Sequence, residues 1–101
     1  MNPDSPENSD KSLHIQISPE KECGAYSNLA VSNYSQEEFI IDFIFMQPQV
    51  LKGNLLSRLV VSPRNLKRLS FLLNAQINEY ESKFGVISQD NSKPEVKLNF
   101  N

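Results

Sequence analysis

The chain has 101 residues, of which 39% are hydrophobic and 22% charged, and its formal net charge is −2. This length allows one small domain, and the composition is that of an ordinary globular protein rather than a repeat or low-complexity chain. No apolar run approaches the ~20 residues that cross a bilayer, and the single Cys23 excludes an internal disulfide framework. The polar, acidic start does not resemble a secretory signal, so we expect a cytoplasmic protein.

Charge is distributed unevenly along the chain. Residues 1–42 have a net charge of −6, residues 43–78 a net charge of +5, and residues 79–101 a net charge of −1. The middle segment contains no acid, and its five cations are Lys52, Arg58, Arg64, Lys67 and Arg68. A basic block of this kind indicates either a solvated face or a surface for an anionic partner.

The first third of the chain predicts a tail followed by two strands. Residues 1–11 have no apolar periodicity and are expected to be disordered. Residues 13–17 alternate between apolar and polar side chains, a pattern typical of a half-buried strand. The polar segment 18–22 should form a turn or loop. A second strand is expected over residues 24–34.

The most apolar run, residues 39–46, predicts the central strand. Its β-branched and aromatic side chains favour a strand over a helix, and only Asp42 interrupts its two apolar faces. Residues 47–53 should form a loop, and residues 54–61 should return as a fourth strand.

Opposing side chains indicate the register of the predicted sheet. Placing Asp42 opposite Arg58 matches apolar residues on both faces of this hairpin, and a slip of one residue would destroy that match. We interpret this ion pair as structural, because it would fix register or partner geometry in apolar surroundings. A similar register in the preceding hairpin sets Val31 against Ile41 and Leu29 against Phe43.

A long helix is predicted over residues 63–84. Ser62 is a suitable N-cap and Pro63 suits the first helical position. Gly85 predicts a left-handed C-cap, with Val86 folding back onto the last turn. Six apolar residues with a period of about 3.6 form what we call the apolar stripe: Leu66, Leu69, Leu73, Ile77, Tyr80 and Phe84. An isolated helix of this kind is not stable in water, so the stripe must be covered.

These elements predict an α+β fold, a four-stranded antiparallel β-meander followed by one long C-terminal helix packed on one sheet face. Residues 12–87 would form a single domain, and residues 88–101 a polar tail with a possible short edge strand at 96–100. The helix would cover the side of Phe39 and Ile41. The uncovered side is the candidate partner or interface surface: Ile40, Asp42, Ile44, Leu56, Arg58 and Val60. Because this leaves much apolar surface on a small domain, we expect a homodimer.

Few residues offer catalytic or metal-binding chemistry. The spacing of His14 and Cys23 does not indicate a nucleophilic pair. The chain has no cluster of three or four metal ligands and no glycine-rich phosphate loop. We therefore expect a protein that is not an enzyme and that needs no metal or cofactor.

Two kinds of partner fit these observations. The first interpretation is a non-enzymatic homodimeric binding module for a protein or an unfolded peptide, without a membrane partner. The alternative is a single-stranded nucleic-acid-binding protein, in which the basic block holds phosphates and a strand tyrosine stacks on bases. Its candidate contacts are Lys52, Arg64, Lys67, Arg68, Tyr26 and Asn28.

Several short motifs follow one another along the chain. They are Tyr26 and Asn28, EEF-x-x-DF at 37–43, Arg58, SP-x-x-x-KRL at 62–69 and YE-x-x-FG at 80–85. Over about residues 13–87 the chain resembles a small bacterial family catalogued as domain of unknown function 3467. This resemblance implies a cytoplasmic single-domain protein without an established activity. Many members of that family carry a histidine in the first turn of the helix, where this chain has Asn65.

Overall fold

The computed structural model describes residues 11–88 and 98–100. Three strands form one antiparallel sheet in the order β1-β2-β3, and a long helix follows them, so the fold is α+β. In chain order the elements are α1 (Pro19–Glu22), β1 (Leu29–Tyr34), β2 (Phe39–Gln47), β3 (Lys52–Val61) and α2 (Pro63–Phe84). In the described part of the chain, no helix is both long and apolar enough to cross a membrane.

The described residues divide into two compact units. The first combines the chain up to Val31 with Asp42–Arg58, and the second combines Ser32–Ile41 with the residues from Leu59 onward. Each strand therefore contributes residues to both units.

The prediction of four strands is wrong, because the first of them is absent. Residues 11–18 lie in no strand, and Leu13, Ile15 and Ile17 are 66–84% exposed. Alternation gives a segment one apolar face, but it does not supply the neighbouring strand that its N–H and C=O groups need. The segment predicted as a turn contains α1, where the N–H of Lys21 donates to the carbonyl of Ser18 at 2.9 Å.

The second predicted strand is shorter than expected. Residues 24–28 are not in β1, which begins at Leu29. Gly24 has a φ of +75°, outside the extended region, and the side chains of Ser27 and Asn28 bond to the β2 backbone. Side-chain hydrogen bonds thus take the place of a regular strand ladder in this segment.

The predicted central strand is confirmed, and the first hairpin has the predicted register. β2 confirms the strand predicted over residues 39–46 and extends it by one residue, whereas β3 begins at Lys52, two residues earlier than predicted. The loop between them is therefore shorter, residues 48–51. In the first hairpin the N–H of Asn28 donates to the carbonyl of Ile44 at 3.2 Å, as a register that pairs Leu29 with Phe43 requires.

The bounds and N-terminal cap of the long helix are confirmed. α2 spans Pro63–Phe84, and the N–H of Asn65 donates to the hydroxyl of Ser62 at 3.2 Å. Gly85 is confirmed as the C-cap residue, with a positive φ of 99°, but its ψ of 163° is extended rather than left-handed helical, and Val86 is 84% exposed instead of folding back. Instead, the carboxylate of Glu81 accepts the N–H of Ile87 at 2.9 Å and fastens the end of the helix.

The helix is less buried than the predicted packing on one sheet face requires. No residue of α2 is buried, and five members of the apolar stripe are 36–72% exposed. Ile44, which we expected on the uncovered face, is the one buried hydrophobic residue in the described part of the chain. It lies in the central strand, which has a neighbouring strand on each side.

Two predictions concern the ends of the chain. The predicted disordered tail, apart from Lys11, lies outside the described residues. Leu98–Phe100 lies in no strand, whereas the rest of the predicted edge strand, Val96 and Lys97, lies outside the described residues.

Candidate functional site

The predicted ion pair between β2 and β3 is present. Arg58 donates from Nε to Oδ1 of Asp42 at 2.7 Å and from Nη2 to Oδ2 at 2.9 Å, a bidentate geometry. The Asp42 side chain is 8% exposed, whereas that of Arg58 is 51% exposed. The hydrogen bonds from Arg58, helped by its charge, lower the pKa of Asp42, although burial of the carboxylate opposes this change. The same contacts raise the pKa of Arg58.

This pair joins two strands and leaves part of the guanidinium facing solvent. Arginine has five N–H donors, and two of its nitrogens are directed at Asp42. The geometry therefore supports the structural role first, since it fixes the position of β3 against β2. A ligand would meet only the outer side of Arg58.

Asn28 forms a side-chain clamp on the edge of β2. Its Nδ2 donates to the carbonyl of Met46, and its Oδ1 accepts the N–H of Met46, both at 2.8 Å. The Ser27 hydroxyl lies 3.0 Å from the carbonyl of Ile44 and donates in the same direction. The amide of Asn28 thus continues the β1 ladder beyond the end of that strand. A residue that we considered for nucleic-acid contact has its amide engaged within the sheet.

The other candidate contacts for nucleic acid are divided between the two units. Tyr26 is 76% exposed, and its ring meets the ring of Phe45 edge-on at 6.3 Å. It belongs to the first unit, together with Asn28 and Lys52, whereas Arg64, Lys67 and Arg68 belong to the second. The structure therefore groups the three helix cations in one unit and does not assign the other three candidates to it.

The three helix cations share one side of α2 with an exposed phenylalanine. Phe71 is 69% exposed, and it follows Lys67 by four residues and Arg68 by three. Residues three and four apart are neighbours on a helix surface. This basic face, as we call it, lines a shallow depression of about 470 Å³ and consists of Pro63, Arg64, Lys67, Arg68 and Phe71.

Phe71 is the member of this surface that sequence analysis missed. The available signal was its position off the apolar stripe, three and four residues after two cations. Within residues 11–88 and 98–100, the ion pairs are Asp42 with Arg58 and Glu79 with Lys83, so neither uses a cation of the basic face. Three positive charges and one aromatic ring are thus available to an anionic partner.

The apolar stripe lies on the opposite side of α2 from the basic face. With about 100° per residue, the centre of the stripe is roughly 145° from that of the basic face. Its exposed fractions rise from 36% at Leu69 to 72% at Phe84. The rings of Tyr80 and Phe84 contact each other with centroids 5.0 Å apart, so they present one joint surface. The helix therefore has two chemically different sides, and both are accessible.

The predicted interface on the sheet is only partly accessible. Asp42 and Ile44 are buried at 6% exposure each, and Ile40 is half-buried. The exposed members lie on β3, where Leu56 is 39% and Val60 56% exposed. β3 is an edge strand with a neighbour on one side only, and every residue from Lys52 to Val60 is exposed.

Groups for catalysis or metal binding do not cluster in the described part of the chain. It contains no set of three or more His, Cys, Asp or Glu side chains able to hold a metal ion. His14 and Cys23 are both exposed. The accessible features are therefore surfaces: the apolar stripe, the basic face and the β3 edge.

Comparison with known proteins identifies one family. The family model described as "Protein of unknown function (DUF3467)" matches residues 1–89. The matched part includes both helices, all three strands and each of the surfaces described above. No curated protein and no solved structure matches the chain.

Proposed function

Because this chain belongs to the DUF3467 family, whose function is unknown, we propose a function from its own surfaces. It is a non-enzymatic, cytoplasmic, homodimeric binding module that takes a protein or peptide partner. The observation that carries this proposal is the exposure of the apolar stripe on a 22-residue helix. A helix of this length without tertiary packing is marginal in water, so its apolar side needs a cover.

The free energy gained by covering the apolar stripe supports association rather than a helix that stays uncovered. Covering a half-exposed aliphatic or aromatic side chain contributes about 1 kcal/mol, so the five stripe residues that are 36–72% exposed contribute about 5 kcal/mol per chain. This is comparable with the whole stability of a small domain. A second copy is the simplest cover because it offers an equally long apolar stripe at the same concentration.

Light scattering with two matched variants tests the homodimer. Leu73→Asp places a charge in the middle of the stripe, whereas Phe71→Asp places it at an exposed position on the other side of the same helix. We expect dimers for the wild type and for Phe71→Asp, and monomeric or unfolded protein for Leu73→Asp. A wild type that stays monomeric at high concentration would refute the proposal.

The edge of β3 supports a protein or peptide as the partner. An exposed edge strand presents unpaired N–H and C=O groups, to which an extended chain adds as a further strand. Leu55 and Leu56 are 48% and 39% exposed on the two sides of this strand and provide apolar contacts for alternate side chains. Such binding depends little on salt, because hydrogen bonds and apolar burial carry it.

Hydrogen exchange tests the peptide proposal. Short overlapping peptides from an unfolded protein are screened by fluorescence anisotropy, and one that binds is added to the protein. We expect slower amide exchange in β3 and no change in β1, the other edge of the sheet. Binding without protection of β3 would place the partner elsewhere, and no binding by any peptide would contradict this choice of partner.

The basic face favours a second candidate, a single-stranded nucleic acid. Stacking on Phe71 and phosphate contacts to Arg64, Lys67 and Arg68 form the combination used by sequence-independent single-strand binders. Each phosphate contact adds roughly 0.7 to the salt dependence of the logarithm of the affinity. The triple change of these cations to glutamine should therefore weaken binding and reduce that slope by about 2, with Lys83→Gln as the control. Absence of binding to a labelled single strand at low salt would exclude this candidate.

A further inference from the structure

We infer that the two α2 helices of the dimer pair antiparallel, about a twofold axis near Ala75, an arrangement that rests on the proposed homodimer. The stripe residues are placed almost symmetrically about this position. Leu73 and Ile77 lie two residues to either side of Ala75, and the outermost members, Leu66 and Phe84, lie nine residues to either side. A twofold axis at Ala75 therefore places every stripe residue of one helix at about the same height along the axis as a stripe residue of the other.

The sizes of the stripe side chains favour the antiparallel direction. Leucines occupy the first half of the stripe, whereas its aromatic residues, Tyr80 and Phe84, occupy the last two turns. Antiparallel pairing sets Leu69 beside Tyr80 of the second copy and Leu66 beside Phe84 of the second copy. Each layer then holds one smaller and one larger side chain, so the helices keep an even separation.

Parallel pairing would give layers of unequal size. It would place four aromatic rings at one end of the helix pair and four leucines at the other. Tyr80 and Phe84 already contact each other within one chain at 5.0 Å, so each pair of rings behaves as one broad block. Two such blocks facing each other would spread the helices apart at that end and leave the leucine end underpacked.

The charges along α2 favour the same direction. Arg64, Lys67 and Arg68 lie in the first two turns, and no acid precedes Glu79 in the helix. Parallel pairing would gather six cations at one end, next to two helix N-termini that carry positive partial charge. Antiparallel pairing instead sets each basic end beside the end that contains Glu79 and Glu81.

Disulfide cross-linking on a Cys23→Ser background tests the direction. Leu69→Cys alone places its two thiols roughly 18 Å apart along the axis in the antiparallel pair, beyond disulfide reach. We expect no covalent dimer from Leu69→Cys alone, and a covalent dimer when it is refolded together with Tyr80→Cys. A covalent dimer of Leu69→Cys with itself would establish parallel pairing. Failure of both, in samples that are dimeric by light scattering, would show that the stripes do not face each other.

Spin labels off the stripe give a second measurement that leaves the interface intact. Ala75→Cys and Ser82→Cys lie seven residues apart on the same side of α2, and each is labelled separately on the Cys23→Ser background. Parallel pairing gives equal label-to-label distances at the two sites. Antiparallel pairing adds roughly 21 Å of axial separation at residue 82 only. Equal distances would overturn the inference while leaving the dimer itself in place, whereas a monomer in light scattering would refute the proposed function.

Discussion

The guanidinium of Arg58 and the carboxylate of Asp42 meet through two parallel hydrogen bonds, 2.7 and 2.9 Å long, between adjacent strands. The carboxylate is almost fully buried, whereas half of the arginine side chain remains exposed. Removing the arginine would therefore leave a desolvated charge without its partner, whereas removing the carboxylate would leave the arginine in contact with water.

The free energy of unfolding should depend on pH through this ion pair. The pKa of Asp42 is lowered in the folded protein from its ordinary value of 3.8, chiefly by the hydrogen bonds from Arg58. Its stabilising contribution is therefore fully present above pH 3.8 and is lost as the pH falls through the folded pKa. Urea unfolding at pH 7 should give a higher free energy of unfolding for the wild type than for Asp42→Asn. This difference in stability should become smaller in acid. A difference that stays constant down to pH 2 would contradict this assignment.

Loss of the Asn28 clamp should destabilise the sheet. Asn28→Ala removes both hydrogen bonds to the Met46 backbone, and because the site is exposed, water can replace them in part. We expect the free energy of unfolding to fall by about 1–2 kcal/mol. Asn54→Ala is the control, since Asn54 is an exposed strand asparagine on β3, and it should change stability by less than about 0.5 kcal/mol. Equal effects of the two substitutions would show that the clamp contributes nothing specific.

The turn between β2 and β3 contains a strained residue. Leu51 is the one non-glycine residue with positive φ in the described part of the chain, at 50°, and it is 65% exposed. A leucine in this region costs about 1 kcal/mol that glycine avoids. Leu51→Gly should therefore raise the thermal midpoint, whereas Val50→Gly in the same turn should not. The prediction fails if both glycine variants melt below the wild type.

The N-cap of α2 provides a prediction about the helix alone. Ser62→Ala removes the acceptor for the N–H of Asn65 and should destabilise the protein by about 1 kcal/mol. Ser62→Asp should restore most of this loss, because aspartate is an equally good cap. Ser70→Ala, within the helix, is the control and should be neutral or slightly stabilising. Chemical denaturation of the three variants measures these differences. A Ser62→Ala variant as stable as the wild type would contradict the prediction.

Much of the fold follows from local sequence patterns. Pro63 and Phe84 are the observed ends of α2 because cap, proline and glycine signals act on neighbouring backbone groups. The central strand and the Asp42–Arg58 ion pair were also predictable, since a single opposite-charge pair within two apolar strands favours one alignment. The predicted first strand failed because the alternation at residues 13–17 indicates a face but not a neighbour.

The candidate surfaces were only partly predictable. The three cations of the basic face are visible in the sequence, but Phe71 joins them only when their places on one side of the helix are considered. Asn28 was a candidate for an external contact, and its engagement with Met46 was missed because residues 24–28 were expected to belong to a regular strand.

The sequence by itself determined the long helix, its apolar stripe, the central strand and the charge of the middle segment, because these depend on neighbours within a few residues. Only the tertiary structure decided that three strands pair rather than four, that Ile44 is buried, and that the stripe stays exposed in a single chain. Those outcomes depend on which surfaces meet across distant parts of the chain. The periodicity of apolar residues in a segment indicates that one side of it needs to be covered, but it does not indicate which surface covers it.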